Sequence, residues 1–265
     1  MKKLLLLLFF IFNSLCISQT AKDYFTIGNE KSKEKKYYEA IQYYNKAIEL
    51  NPNYAEAYLN RGIVKGILGD YNGAIKDYNK AIELNPNYEE AYLNRGIARN
   101  ILGDHNDAVK DCNKAIELNP KYAEAYNYRG IAKYELRDYN DAIKDYNKAI
   151  ELDTNYVLAY FNRGNAKVEL GYYKGAISDY DKAIELNQNF AYAYIFRGMA
   201  KFNLDDYYRA ISDYNKAIEL DSNLAEAYYN RGISEFNLRD YEGAIEDYNK
   251  AIELCPNDAY VYEYR

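Results

Sequence analysis

Cut every 34 residues, the chain lies over itself. Segments 55–88 and 89–122 share YLNRGI, GD, KAIELNP and a closing aromatic, and the phase persists to the C-terminal end. Glycine recurs at Gly28, Gly62, Gly96, Gly130, Gly164, Gly198 and Gly232, and alanine at Ala40, Ala74, Ala108, Ala142, Ala176, Ala210 and Ala244. A fixed period of this length means that one supersecondary unit cannot bury its apolar face alone, so neighbouring copies must stack to make a core. Seven copies fill 21–54, 55–88, 89–122, 123–156, 157–190, 191–224 and 225–258, and 259–265 begins an incomplete eighth.

Within a copy, apolar residues follow helical spacing twice, as in Ala57, Tyr58, Leu59 and Ile63 and then Ala74, Ile75, Tyr78, Ala81 and Ile82. Gly69 ends the first helix, Asp70 is placed to cap the second, and Pro86 closes the unit. Gly62 and Ala74 lack the bulk that would hold the two helices apart, so leucine at either is expected to separate them. Arginine precedes six of the seven glycines, from Arg61 to Arg231, and an aspartate follows each arginine sixteen residues later, from Asp77 to Asp247. The first copy has Ile27 and Tyr43 instead, and charges that appear and vanish together predict an ion pair between the helices.

Tyr58, Gly62, Ala74, Tyr78, Ala81 and Pro86 stand where the tetratricopeptide repeat (TPR) places aromatic, glycine, alanine, aromatic, alanine and proline, and the sequence closely resembles that family. The resemblance implies an all-α fold, an α-solenoid superhelix of tandem helix-turn-helix repeats whose inner wall is lined by the first helices. Thr154, Gln188 and Ser222 replace the closing proline in repeats four to six, which is expected to loosen those turns.

On the implied inner wall, repeat positions 2, 5, 6, 9 and 12 share a helical stripe. Position 6 holds Asn60, Asn94, Asn162 and Asn230, and a carboxamide can donate to and accept from a peptide backbone together. Repeats five and six bring Leu158, Phe161, Tyr192, Ile195, Phe196, Met199 and Phe202 to the stripe, which is either an apolar anchor for a partner or packing between repeats. The charged clamp of chaperone-tail binders in the family is missing, because the matching places hold Phe25, Asn29, Asn60, Glu90 and Asn94. These features predict a non-catalytic scaffold for a protein or extended peptide. The alternative is a structural module that self-associates through its repeat ends, where the stub exposes Tyr260, Tyr262 and Tyr264.

A net charge of −6 argues against a nucleic-acid partner. His105 and Cys112 share one helix but have no further ligands at metal-binding spacing, so no metal or cofactor is expected, and no phosphate loop or nucleophile motif is found. Cys255 takes a turn position and is read as either exposed or covered by the last segment.

Lys2, Lys3 and the apolar run from Leu4 to Phe12 read as a secretory signal at 1–18, cleaved before Gln19, which predicts a periplasmic or secreted protein. That run is too short to span a bilayer. An uncleaved anchor is the alternative, as is lipid attachment at Cys16, against which the bulky Leu15 argues.

Overall fold

The computed structural model describes residues 19–256. The expected signal segment, Cys16 and the start of an eighth repeat lie outside the described residues. Two compact units divide the chain, Met1–Pro120 and Lys121–Arg265. The first contains α1 (Ala21–Lys33), α2 (Tyr37–Leu50), α3 (Ala55–Ile67), α4 (Tyr71–Leu84), α5 (Glu89–Ile101) and α6 (His105–Leu118). The second contains α7 (Ala123–Glu135), α8 (Tyr139–Leu152), α9 (Val157–Glu169), α10 (Tyr173–Leu186), α11 (Ala191–Phe202), α12 (Tyr207–Leu220), α13 (Ala225–Asn237) and α14 (Tyr241–Leu254). Odd-numbered helices are the first of each repeat and even-numbered ones the second. In each unit a first helix packs on the second helix of its own repeat and on that of the repeat before.

Each hairpin closes in a short turn whose central residue is left-handed. Gly69, Gly103 and Gly171 hold φ of 83°, 88° and 74°, and Lys35, Arg137, Asp205 and Arg239 occupy the same repeat position at 59° to 65°. Glycine adopts this conformation without the steric cost that the other four residues bear. After the turn, the Asp70 side chain accepts from the Gly73 N–H at 2.8 Å and caps α4.

Turns between repeats are held by a side chain as well. Asn53 N–H donates to Asn51 Oδ1 and Asn87 N–H to Asn85 Oδ1, both at 3.1 Å. The same bond joins Asn155 to Asp153, Asn189 to Asn187 and Asn223 to Asp221 at 2.9 to 3.1 Å. The turns without proline therefore keep the geometry of those with it, contrary to the loosening expected, because an Asx turn sets the bend in both.

Between the helices of one repeat, a tyrosine ring lies against the glycine backbone. A Cβ added at Gly62 would stand 2.6 Å from Tyr78 Cε1, and Gly28, Gly130, Gly164 and Gly198 face Tyr44, Tyr146, Tyr180 and Tyr214 at the same distance. Repeat three has Cys112 there, and the corresponding approach at Gly96 relaxes to 3.2 Å from Sγ.

Beside this contact the expected ion pair forms in all six repeats that carry it. Each arginine Nε donates to one aspartate oxygen at 2.6 to 3.0 Å, and Nη2 to the other at 2.5 to 2.6 Å. The guanidinium also lies over the tyrosine three residues earlier, 5.3 to 5.5 Å from its centroid. Its Nη1 reaches back to the preceding repeat, from Arg61 to Asn45, Arg95 to Asn79, Arg163 to Asn147, Arg197 to Asp181 and Arg231 to Asn215. One arginine thus fixes both a hairpin and the seam to its neighbour.

Two predictions follow from these contacts. Gly164→Ala is expected to lower stability by about 1 kcal/mol or more, since overpacking of roughly 1–3 kcal/mol exceeds the helix-propensity gain of about 1 kcal/mol. Gly96→Ala, facing a smaller side chain, stays near neutral, and urea unfolding distinguishes the two. A double-mutant cycle on Arg163 and Asp179 is expected to give a coupling of about 1 kcal/mol or more, whereas additive effects would show that the pair contributes no contact energy.

Candidate functional site

In each unit the first helices divide by repeat position into residues that face inward and residues that face out. Position 5 is buried at Leu59 and Leu93 in the first unit and at Asn127 and Ile195 in the second, and partly buried at Phe25, Phe161 and Tyr229. Position 2 is exposed, at Glu56 and Glu90 in the first unit and at Leu158 and Tyr192, each 47% exposed, in the second. Position 6 is half-buried in repeats two to seven, and this includes Asn60, Asn94, Asn162 and Asn230.

The position-6 asparagines are each tied by one donor. In the first unit, Asn60 Nδ2 donates to Asn29 Oδ1 at 2.8 Å, and the same oxygen accepts from the Tyr44 hydroxyl at 2.8 Å. Asn29, Ser32, Lys33, Tyr44, Asn60 and Ile63 line a hollow of about 370 Å³. Asn94 Nδ2 donates instead to the Glu90 carbonyl one turn earlier. In the second unit, Asn162 Nδ2 donates to the buried Asn127 Oδ1 at 3.1 Å, and Asn230 Nδ2 to the Glu226 carbonyl. Asn162 lines a hollow of about 160 Å³ with Ile131, Tyr134, Glu135, Tyr146 and Asn165. One N–H and the Oδ1 of each carboxamide remain for a partner, since the group carries two donors and an acceptor.

Electrostatics differ along the wall. Burial, then the negative charges of Glu90, Glu56 and Glu89, raises the Tyr88 phenol above its ordinary range, so these carboxylates converge on one edge of the first unit. In the second unit, burial pushes the Tyr134 phenol up to about 12, helped by Glu169, whose Oε1 accepts from it at 3.3 Å.

The apolar residues of repeats five and six separate into two groups. Ile195 is fully buried, a correction to its assignment to the wall, because it packs into a core cluster with Ile184, Tyr194 and Tyr214. Phe161 packs its ring 4.9 Å from Phe190, 5.2 Å from Phe196 and 5.8 Å from Tyr180, and Met199 and Phe202 join the same core cluster as partly buried members. Only Leu158 and Tyr192 of the seven stand largely in solvent. Two residues outside the sequence-based set, Asn29 and Asn165, complete the hollows at position 9, where the other repeats carry isoleucine or methionine. The departure from that apolar pattern is the signal that would have found them.

His105 Nδ1 lies 2.8 Å from Asn100 Oδ1, while Cys112 is buried beneath Gly96. Among the described residues no cluster of three His, Cys, Asp or Glu side chains is placed to hold a metal ion. Cys255 is exposed, and the last segment, read as its alternative cover, lies outside the described residues.

Profiles of the TPR repeat match residues 28–66, 67–100, 132–171 and 198–238, and tetratricopeptide repeat profiles match 89–122 and 225–258, 157–190 and 112–144. The chain belongs to the tetratricopeptide repeat family. An uncharacterized protein of Methanocaldococcus jannaschii is 47% identical over 45 residues, 17% of this chain and 48% of that protein, so the chain spans about half the length of this relative. The crystal structure of YrrB, a TPR protein with an unusual peptide-binding site, is similar over 70% of this chain and 96% of that one, with 27% identity and a TM-score of 0.57. A TPR protein from Parabacteroides merdae shares the fold over 92% of this chain and 96% of its own, at 21% identity and a TM-score of 0.72. The all-α architecture of tandem TPR hairpins, the α-solenoid class, is therefore shared with solved structures.

The division of the TPR wall into inward and outward positions is measurable. Ile195→Ala should destabilise by about 2–5 kcal/mol, as removal of a buried branched side chain does, whereas Tyr192→Ala stays within about 0.5 kcal/mol. Chemical denaturation of the two variants provides the comparison.

Proposed function

We propose that this TPR protein is a non-catalytic scaffold that holds an extended peptide or another protein along its first helices. The observation that carries this reading is the half-tied asparagine row, with Asn60 and Asn162 each at a hollow and each with hydrogen-bonding capacity to spare. A peptide backbone presents alternating donors and acceptors and satisfies such a row without regard to its sequence. Leu158 and Tyr192 add an exposed apolar element in the second unit, which suits a partner side chain as an anchor. The likeness to YrrB, whose structure carries a peptide-binding site, supports the same reading. The basic and then apolar start of the sequence supports export of the scaffold, and N-terminal sequencing of the exported chain is expected to begin at Gln19.

A test must leave the core intact, which excludes truncating Phe161 or Phe196. Leu158→Glu with Tyr192→Glu introduces the residue that repeats two, three, four and seven carry at this position, so the fold has already accepted it. Selection from an extended-peptide library is expected to yield ligands with apolar anchors, and the double variant should weaken them by about tenfold, roughly 1.4 kcal/mol, with its helical circular dichroism unchanged. Equal affinity in a folded variant would move binding away from this wall.

Self-assembly through the repeat ends has an observation of its own. Tyr241 and Ile245 on α14 are 53% and 49% exposed, whereas their counterparts in the other repeats are partly covered. Sedimentation velocity distinguishes the readings. Oligomers that grow with concentration and disappear in Ile245→Lys favour assembly, and a monomer at all concentrations eliminates it.

A further inference from the structure

The aspartate of the arginine pair holds a second cation in repeats two to six. Lys65, Arg99, Lys133, Lys167 and Lys201 stand four residues after the arginine and reach the aspartate Oδ2 at 2.7 to 2.8 Å. In repeat seven that position is Glu235. One carboxylate between two cations is thereby replaced by two carboxylates sharing the Arg231 guanidinium. Arg231 is committed to Asp247, with bonds of 2.6 Å from both Nε and Nη2, and lies 3.9 Å from Glu235 Oε1. The other oxygen, Oε2, is buried without a hydrogen-bond partner, close against Gly243 of α14.

An ionised carboxylate with a buried, unpartnered oxygen beside a second carboxylate is a costly arrangement, and a proton removes the cost. We propose that Glu235 is a proton-controlled latch between α13 and α14. Protonated, its carboxyl donates toward Asp247 from the position a lysine or arginine fills in the other repeats. Ionised, it repels Asp247 and loosens the last helix pair.

The groups around it act in this direction. Burial, then the negative charge of Asp247, pushes the Glu235 carboxyl up to about 7, against the lowering effect of Arg231, and Asp240 at the start of α14 adds to the rise. From α12 come the neutral Asn215, which accepts from Arg231, and the Tyr214 phenol, which lies beside Ser234. The Lys201 ammonium of α11 is held by Asp213. The folded-state value stands above the ordinary 4.5, so the folded form takes up the proton more readily than the unfolded one. The latch contribution is complete below about pH 4.5 and is lost as the pH rises to about 7.

Hydrogen exchange of the intact chain at about pH 5 and pH 8, corrected for intrinsic rates, tests the latch, with the α7–α8 amides as internal reference. Protection of the α13–α14 amides is expected to fall by roughly tenfold or more at the higher pH in the wild type. It should be flat in Glu235→Gln, which keeps the donor and cannot ionise, and in Glu235→Lys, which restores the pattern of the other repeats. A wild type with no such difference, or a Glu235→Gln variant with the same loss, would overturn the proposal. So would a Glu235 carboxyl that titrates near its ordinary value by carbon NMR.

Discussion

The contact on which each repeat depends is the tyrosine ring laid on a glycine backbone. No Cβ stands between them, so the second helix approaches the first more closely than any other residue would permit. The same approach brings Arg61-Gly62 opposite Asp77-Tyr78, and the charges flanking the glycine and the tyrosine then meet without adjustment. Steric and electrostatic contacts thus share one pair of dipeptides and recur with the repeat. Where the tyrosine becomes Cys112, the approach to the glycine is less close but the ion pair persists, so the two contacts are separable.

A buried ion pair adds less stability than its Coulomb energy suggests, because both partners lose hydration. Its larger effect here is geometric. The planar guanidinium meets the aspartate with two parallel bonds, stacks on a tyrosine of its own helix and donates a further bond to the preceding repeat. Such a group fits one arrangement of three helices and rejects slipped ones. The first repeat has no arginine, and Tyr24 and Tyr43 stack there instead, 6.3 Å apart, with Lys46 over both rings.

The fold was legible because its determinants repeat. The period, the glycine and alanine positions and the paired charges all mark contacts made in the same way many times over. The candidate site was legible only in part. A helical stripe drawn from spacing alone spans more than the exposed face, and it took in position 5, which the neighbouring repeat covers. Ile195 and Phe161 therefore looked like wall residues and proved to be packing. Aromatic and aliphatic side chains carry no mark that separates a groove from a seam, whereas the packing of the adjacent repeat does. The missing prolines misled for a related reason, since the aspartate or asparagine that sets the bend was present in the sequence and drew less notice than the residue that had changed.

Variation and constraint are distributed accordingly. A residue at position 5 must fit its neighbours, so a change there has to be matched, as Phe161 is by Phe190 and Phe196. Position 2 stands in solvent, and replacing glutamate with leucine or tyrosine alters the surface without disturbing the hairpin beneath it. Position 6 lies between these cases, anchored by one bond and open at its remaining atoms. On the binding reading, the asparagines would hold a backbone of any sequence, and position 2 would select among side chains, acidic in repeats two, three, four and seven and apolar in repeats five and six. Specificity could then change one side chain at a time while the arginine clamps held the repeats in register, because none of the atoms that set the register belongs to position 2.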